Sequence, residues 1–236
     1  MQYGVVYLHG FASHPGSEKG VFFRTHFEKK GVPFIAPALD GGDFAGMTVT
    51  KILSRCEQAV AELDPKRALV ILGSSLGGLV AALYAERHQR EGKRPAALVL
   101  IAPAFELGSL WRKRLGPERL AQWKQAGELA LRDERGAWVY GEAYPKIGYP
   151  FYEDVLQYER PKWTFPTPTL VFHGAKDEQV PLEGSQRFAD AANVQLVIYG
   201  QGAHSLSESL GDMQRHIDGF LTARQLVADR ESKQAP

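Results

Sequence analysis

The chain has 236 residues, of which 44% are hydrophobic and 23% charged, a balance typical of a globular domain that excludes a wholly disordered chain. A formal net charge of +1 lacks the basic surplus of nucleic-acid-binding proteins, so we expect no nucleic-acid partner. The single cysteine, Cys56, excludes an internal disulfide and a multi-cysteine metal site, and we expect it to be a half-buried, inert thiol.

Short apolar runs alternate with longer helical patterns along the chain. The runs are rich in Val, Ile and Leu and nearly continuous in apolarity, as strands buried on both faces should be. The alternation predicts an α/β fold, with a mostly parallel open sheet of about six strands and helices on both faces. The predicted strands are Tyr3–Leu8, Pro33–Ala36, Ala68–Gly73, Ala97–Ala102, Thr169–His173 and Val194–Tyr199. The predicted helices are roughly Ser17–Lys30, Thr48–Leu63, Leu76–Arg90, Leu182–Ala192 and Leu206–Leu226.

No apolar stretch approaches the roughly 20 residues that a membrane-spanning helix requires. The apolar run near the N-terminus, Gly4–Leu8, is too short for the core of a signal peptide and has no basic segment before it. We therefore expect a soluble cytoplasmic protein that does not contact a membrane.

The interval between the fourth and fifth predicted strands, residues 105–166, is longer than a crossover needs. It holds all four tryptophans and five of the nine tyrosines. Long structureless loops are uncommon in compact domains, so we predict a partly helical cap inserted into a single domain spanning residues 1–236. We expect most of its aromatic side chains to form the core of the cap, and two or three to face a ligand. The aromatic residues counted here are Trp111, Trp123, Trp138, Trp163, Tyr140, Tyr144, Tyr149, Tyr152 and Tyr158.

The segment Gly73-Ser74-Ser75-Leu76-Gly77 fits the pattern G-x-S-x-G, directly after a predicted strand and before an amphipathic helix. In that context the serine occupies a strained turn that exposes its hydroxyl. The residues two before and two after it must be small, because larger side chains would collide across the turn. Ser74 would place leucines at both positions, so Ser75 is the candidate nucleophile. The alternative is a purely structural turn serine.

Two downstream segments supply the other groups that an activated serine needs. Asp177 follows the buried strand Thr169–His173, and His204 follows the last strand in a glycine-rich loop. A serine hydroxyl is a poor nucleophile unless an imidazole accepts its proton, and that imidazole needs a carboxylate to fix its tautomer. We predict His204 as general base and Asp177 as the orienting acid, with Glu178 as the less favoured alternative. The remaining histidines are expected to have structural roles: His173 would order the turn of Asp177, and His9 would brace the loop after the first strand.

A site for the negative oxygen of a tetrahedral intermediate is predicted beside Ser75. The backbone amides of Phe11, after the first strand, and of Leu76, after the nucleophile, are the candidate donors. If the first and third strands are neighbours, with the second outside the first and the others beyond the third, these groups meet at a topological switch point, where open α/β sheets bind ligands.

These motifs together resemble the α/β-hydrolase superfamily. The opening Tyr-Leu-His-Gly-Phe-Ala-Ser-His-Pro-Gly-Ser-Glu-Lys, residues 7–19, is closer still to the small bacterial YqiA-like esterases. The resemblance covers nearly the whole chain except the cap, which is larger than in the minimal esterases. It implies cofactor-free hydrolysis of carboxylic esters.

Several functions use these residues. The first hypothesis is an esterase or thioesterase that acts on a small-molecule acyl ester of small to medium size; the same residues would serve a carbon–carbon bond hydrolase or an acyltransferase. The second is a ligand-binding receptor or pseudoenzyme, which has no need of an activated serine. A metal site is not expected, since no H-x-x-x-H or Cys/His cluster exists. The basic run Arg112-Lys113-Arg114 is interpreted as a solvated face, with attraction of an anionic substrate as its alternative. The sequence leaves the oligomeric state open.

Overall fold

Six parallel strands form the central sheet, seen in a computed structural model that describes residues 1–89, 94–131, 146–159, 163, 166–190 and 194–228. The strands of this sheet are β1 (Tyr3–Leu8), β2 (Phe34–Ile35), β3 (Ala68–Ser74), β4 (Ala97–Ile101), β7 (Thr169–Gly174) and β8 (Val194–Tyr199). Their order is β2-β1-β3-β4-β7-β8, and each neighbouring pair is parallel. The predicted sheet and its switch point between β1 and β3 are confirmed. Two short strands, β5 (Glu128–Ala130) and β6 (Lys146–Gly148), pair antiparallel outside this sheet.

Helices connect the strands, and two of them begin after a capping residue. Ser17 and Thr48 cap two helices by accepting hydrogen bonds from the amides of Gly20 and Lys51, which satisfies donors that have no partner within the helix. The helices are α1 (Glu18–Lys29), α2 (Val49–Ala61), α3 (Leu76–Arg87), α4 (Leu107–Ala126), α5 (Tyr149–Gln157), α6 (Leu182–Ala189) and α7 (Leu210–Thr222).

The start of the last predicted helix is wrong. Leu206 has a φ of 51°, which is left-handed and incompatible with a right-handed helix. A single 3-10 turn at Ser207–Ser209 follows, and α7 begins only at Leu210. Two other predicted helix ends, Arg90 and Ala192, lie outside the described residues.

Two hydrophobic cores lie on opposite faces of the sheet, because successive side chains of a strand point to opposite sides. One core packs α1 and α7 against alternate residues of the strands, with Phe23, Phe27 and Ile217 fully buried. The other packs α2, α3 and the cap helices against the remaining strand residues. Helices therefore cover both faces, as predicted. Cys56 belongs to the second core and is fully buried rather than half-buried.

The predicted cap is an insertion between β4 and β7 that contains α4, the β5–β6 pair and α5. The rings of Trp111, Tyr149 and Tyr152 pack around Trp123, whose indole N–H donates to the carbonyl of Ile147 at 3.0 Å. The Asp154 carboxylate fastens the cap to the start of α2 by accepting from the amide and hydroxyl of Thr50, each at 2.7 Å. Of the aromatic residues counted in the cap sequence, Trp138, Tyr140 and Tyr144 lie outside the described residues.

The described α-helices are between 8 and 20 residues long. None of them combines the length and the apolar composition that spanning a membrane would require.

Candidate active site

Ser75 lies at a sharp turn between β3 and α3. Its φ of 53° and ψ of −114° are sparsely populated for a residue with a side chain, and such strain persists only where the surroundings enforce it. The turn is also crowded. A Cβ atom on Gly73 would overlap the backbone of Gly77, and one on Gly77 would overlap the carbonyl of Leu8. Close backbone contacts therefore explain why these two positions require small residues.

The three residues predicted to work together lie in one hydrogen-bonded chain. His204 Nδ1 is 2.7 Å from Asp177 Oδ2, and His204 Nε2 is 3.1 Å from Ser75 Oγ. An ionised carboxylate can only accept a hydrogen bond, so Nδ1 carries the proton of a neutral His204 ring. The lone pair of Nε2 then faces the Ser75 hydroxyl, which donates to it.

Asp177 is a fully buried carboxylate with four donors around it. Oδ1 accepts from the amides of Gln179 and Val180 at 2.9 and 2.8 Å. Oδ2 faces His204 Nδ1 and His173 Nε2, the latter at 3.3 Å. Burial alone would raise the pKa of Asp177, but the hydrogen bonds from these histidines and from Val180 lower it, and the net pKa lies well below its usual range. Asp177 therefore stays ionised wherever the protein is folded near neutral pH.

His173 holds this carboxylate from behind. Its ring is fully buried, and its Nε2 faces two acceptors, the Val180 carbonyl at 2.9 Å and Asp177 Oδ2. Nε2 must therefore carry a proton, while Nδ1, 2.8 Å from the Ser185 hydroxyl, accepts from it in the neutral ring. The contacts agree with the expectation that His173 orders the turn of Asp177. Its direct contact with the carboxylate was not predicted from the sequence.

Glu178, the alternative acid, is exposed. The carboxylate that the fold brings to His204 is that of Asp177. Of the two candidate carboxylates, Asp177 contacts His204 and Glu178 projects to solvent.

The loop after β1 passes next to Ser75. A Cβ atom on Gly10 would lie 3.4 Å from Ser75 Cβ, so this backbone touches the turn. His9 Nε2 accepts from the Leu39 amide at 3.0 Å, which leaves its Nδ1 to donate to the Gly10 carbonyl at 2.9 Å. Burial lowers the pKa of His9, which favours the neutral ring that these contacts require. Because the amide of a trans peptide points opposite to the carbonyl, the Phe11 N–H faces away from His9.

The second candidate donor belongs to Leu76, the first residue of α3. An amide in the first turn of a helix has no acceptor within that helix. The N-terminal end of α3 also carries the positive end of the helix dipole. The amides predicted to hold a negative oxygen, those of Phe11 and Leu76, therefore belong to the two segments that meet at Ser75.

The ring of Phe11 is packed into an aromatic cluster that the sequence did not predict. Its centroid lies 5.4 Å from that of Phe44, 5.5 Å from Trp111 and 5.3 Å from Phe151. These three rings come from the loop after β2, from α4 and from α5. The cluster formed by Phe11, Phe44, Trp111 and Phe151 thus joins the loop beside Ser75 to the cap.

The basic run in the cap is exposed, and one member is paired. Arg112 Nη2 lies 3.2 Å from the Glu159 carboxylate, and Lys113 and Arg114 project to solvent. These positions agree with a solvated charged face.

Several solved structures share this fold. The mouse alpha/beta hydrolase domain-containing protein 10 aligns with a TM-score of 0.78 and 23% identity, over 93% of this chain and 90% of that one. Est1E from Butyrivibrio proteoclasticus aligns at 0.73 and 22% identity, over 95% and 89%. The monoacylglycerol lipase of Paleococcus ferrophilus aligns at 0.71 and 19% identity, over 95% and 98%. The fold is that of the α/β hydrolases, as predicted.

Sequence comparison identifies the family. The model of an uncharacterised protein family, UPF0227, matches residues 4–221, and the chain belongs to this family. The resemblance noted from the opening motif is thereby confirmed. A curated relative, the mouse palmitoyl-protein thioesterase ABHD10, mitochondrial, is 28% identical over 219 residues, which are 87% of this chain and 70% of the relative.

The crowded turn at Ser75 predicts an unequal response to two glycine-to-alanine substitutions. Gly77→Ala forces a Cβ against the rigid Leu8 backbone and should lower the free energy of unfolding by about 2 kcal/mol. Gly219→Ala, in an exposed turn of α7 where a Cβ would meet nothing within 4 Å, should raise it by about 0.5–1 kcal/mol. Urea unfolding of both variants measures this difference. A Gly77→Ala protein as stable as the wild type would show that the turn is not crowded.

Proposed function

We propose that this chain is a serine hydrolase that cleaves carboxylic esters or thioesters of small to medium acyl groups through an acyl-enzyme on Ser75. The observation that carries the proposal is the chain of hydrogen bonds from Asp177 through His204 to Ser75. It ends on a hydroxyl held at a strained turn at the carboxyl end of the sheet, where α/β folds bind ligands.

In the proposed reaction, Ser75 Oγ attacks the acyl carbonyl while His204 Nε2 accepts its proton. The amides of Phe11 and Leu76 donate to the oxygen that becomes negative, and Asp177 stabilises the imidazolium ion. Collapse of the tetrahedral intermediate breaks the bond to the alcohol or thiol, which leaves with the proton from His204. A water molecule then loses a proton to His204, attacks the acyl-serine and releases the acid, and Ser75 regains its proton.

The geometry favours a hydrolase over a receptor on the same fold. A binding protein has no use for a neutral imidazole whose lone pair faces a serine hydroxyl, nor for a buried carboxylate that fixes its tautomer. A positive φ at Ser75 costs conformational free energy. This cost is expected at a residue whose hydroxyl must be presented to His204 and a substrate. Acyl transfer and carbon–carbon bond hydrolysis would use the same groups. Assays with different substrates therefore distinguish which bond is cleaved and whether water or another molecule accepts the acyl group.

The substrate class is proposed from the relatives as well as from the site. One relative is named a palmitoyl-protein thioesterase, and one structural neighbour is a monoacylglycerol lipase. Both names describe hydrolysis at an acyl carbonyl. We therefore propose an acyl ester or thioester as the substrate, to be tested with p-nitrophenyl esters of graded length and matched thioesters.

Removing the nucleophile or the base should abolish hydrolysis without unfolding the protein. We expect Ser75→Ala to lose at least about 10³-fold in kcat, and His204→Ala to lose about as much, because groups that act as a unit are not additive. The double variant should be no worse than either single one. Activity of Ser75→Ala within tenfold of the wild type would contradict the assignment.

Two neighbouring carboxylates supply a matched control for the acid. Asp177→Asn replaces an acceptor of the His204 proton by an amide that favours the wrong tautomer, and it should be strongly impaired. Glu178→Gln alters an exposed side chain and should retain nearly full activity. If Glu178→Gln lost more activity than Asp177→Asn, the orienting acid would be Glu178 instead.

We further propose that the cap sets the preference for acyl length, through the aromatic cluster that includes Phe11. Each methylene removed from water contributes about 0.8 kcal/mol, so four carbons amount to roughly 3 kcal/mol, about a hundredfold in kcat/KM. Trp111→Ala should reduce the ratio of kcat/KM for octanoyl over butanoyl esters by about tenfold. Point substitution is preferred to excision of the cap, because excision would also strip two ring contacts from Phe11.

The control is Phe22→Ala, which removes a half-buried ring from the opposite face of the sheet and should leave the ratio unchanged. An unchanged ratio in Trp111→Ala would mean that the cluster is only the packed core of the cap.

A further inference from the structure

The loop that carries His204 is anchored on its upstream side to the turn that carries Asp177. The Lys176 amide donates to the Gly202 carbonyl at 2.9 Å. A Cβ on Gly174 would overlap the backbone of Gly202, so these two segments touch. The position of His204 relative to Asp177 is therefore fixed from one side.

The downstream side of the loop contains a strained residue. Leu206 has a φ of 51°, a conformation that a branched side chain adopts only when its surroundings over-determine it. The side chain is almost fully buried in the core beneath α1 and α7. Burial alone fixes this side chain but not the backbone between it and His204.

The first turn of α1 holds that backbone on both sides of Leu206. Lys19 Nζ donates to the Ser205 carbonyl at 2.6 Å, and the Ser207 hydroxyl donates to the Glu18 carboxylate at 2.5 Å. Glu18 and Lys19 are consecutive in sequence and lie 189 and 186 residues from their partners. They belong to the motif Ser17-Glu18-Lys19, which the proposed reaction leaves without a role.

Lys19 is the more buried of the two clamping residues. It is half-buried, and burial lowers its pKa, so its ammonium group has given up water to donate to a main-chain carbonyl. Within the described part of the chain no carboxylate forms an ion pair with it, and a lysine on a protein surface commonly has such a partner or solvent instead. Both contacts are exposed, but Glu18 is itself an exposed residue, whereas Lys19 is half-buried.

The anchor itself is rigid. The Ser17 side chain caps α1, and Phe23 and Phe27 bury the helix against the sheet. The same helix directly follows the loop that carries Phe11. Its first turn therefore links the backbone beside the oxyanion donors to the backbone beside the base.

We propose that Glu18 and Lys19 form a clamp that positions His204 over Ser75 by holding Ser205 and Ser207, with Lys19 as the principal positioning residue. The inference rests on the proposed function, since it assigns to the clamp the geometry of the proposed base. Neither residue need touch the substrate. A displacement of about 1 Å in a catalytic group can cost about 10²-fold in rate, so loss of the clamp should appear in kcat rather than in KM.

The test compares Lys19→Met with Lys29→Met, which removes an exposed lysine from the same helix. Steady-state kinetics use the p-nitrophenyl ester that the wild type hydrolyses fastest, below the unfolding temperature of every variant. A fluorophosphonate reports the reactivity of Ser75 independently of the acyl pocket. We expect Lys19→Met to lower kcat and the rate of phosphonylation by about tenfold or more, with KM within about twofold of the wild type. Lys19→Arg should restore most of the kcat and most of the phosphonylation rate. Lys29→Met should match the wild type in all three quantities.

Ser207→Ala is a second variant for the same measurement, which can be used if Lys19→Met does not fold. It removes only a hydroxyl, and its kcat should fall about threefold. Values of kcat within twofold of the wild type for the folded clamp variants would overturn the clamp while leaving the proposed function intact. A wild type that neither hydrolyses esters nor reacts with the fluorophosphonate would instead overturn the proposed function, and the clamp with it.

Discussion

A buried carboxylate needs donors for its lone pairs, and the arrangement of this site follows from how Asp177 meets that need. Two of its donors are amides of its own turn, one is His173, and the fourth is His204. An unsatisfied buried carboxylate would cost several kcal/mol, so the turn, the ring of His173 and the loop of His204 are held to one another. Because Asp177 accepts a hydrogen bond from the protonated Nδ1 of His204, the other ring nitrogen is left as an acceptor facing Ser75.

The parallel sheet makes this arrangement possible. β1, β3, β7 and β8 all end at the same edge, and the segments that carry Phe11, Ser75, Asp177 and His204 follow those four ends. Strands β1, β4 and β7 are buried along their whole length, and apart from His173 at the end of β7 the polar groups of the site lie in the loops beyond the strands. The cap contacts this edge through the ring of Phe11, so its packing and the loop beside Ser75 are coupled.

Features that depend on local pattern could be predicted from the sequence. Continuous apolar runs located all six strands of the main sheet, and the small residues around Ser75 selected it over Ser74 because only that register avoids a collision. That Asp177 and His204 lie close to Ser75 could be predicted, because each occupies a loop after a strand of the same parallel sheet. Contacts between distant segments could not be predicted: the Lys19 contact spans 186 residues, and the Phe11 cluster depends on how α4 and α5 pack. The helix expected from Leu206 was wrong because a left-handed φ at a leucine has no sequence signal.

The central claim is that Asp177, through His204, activates the hydroxyl of Ser75 and no other serine. Its most direct test is to treat the protein with a fluorophosphonate, digest it and map the modified residue by mass spectrometry. The account predicts one phosphonyl group per chain, on Ser75, and none in a protein unfolded in urea, where the hydrogen-bond chain is lost. Modification of Ser74 or of a serine remote from the turn between β3 and α3, or no modification of the folded protein, would contradict it.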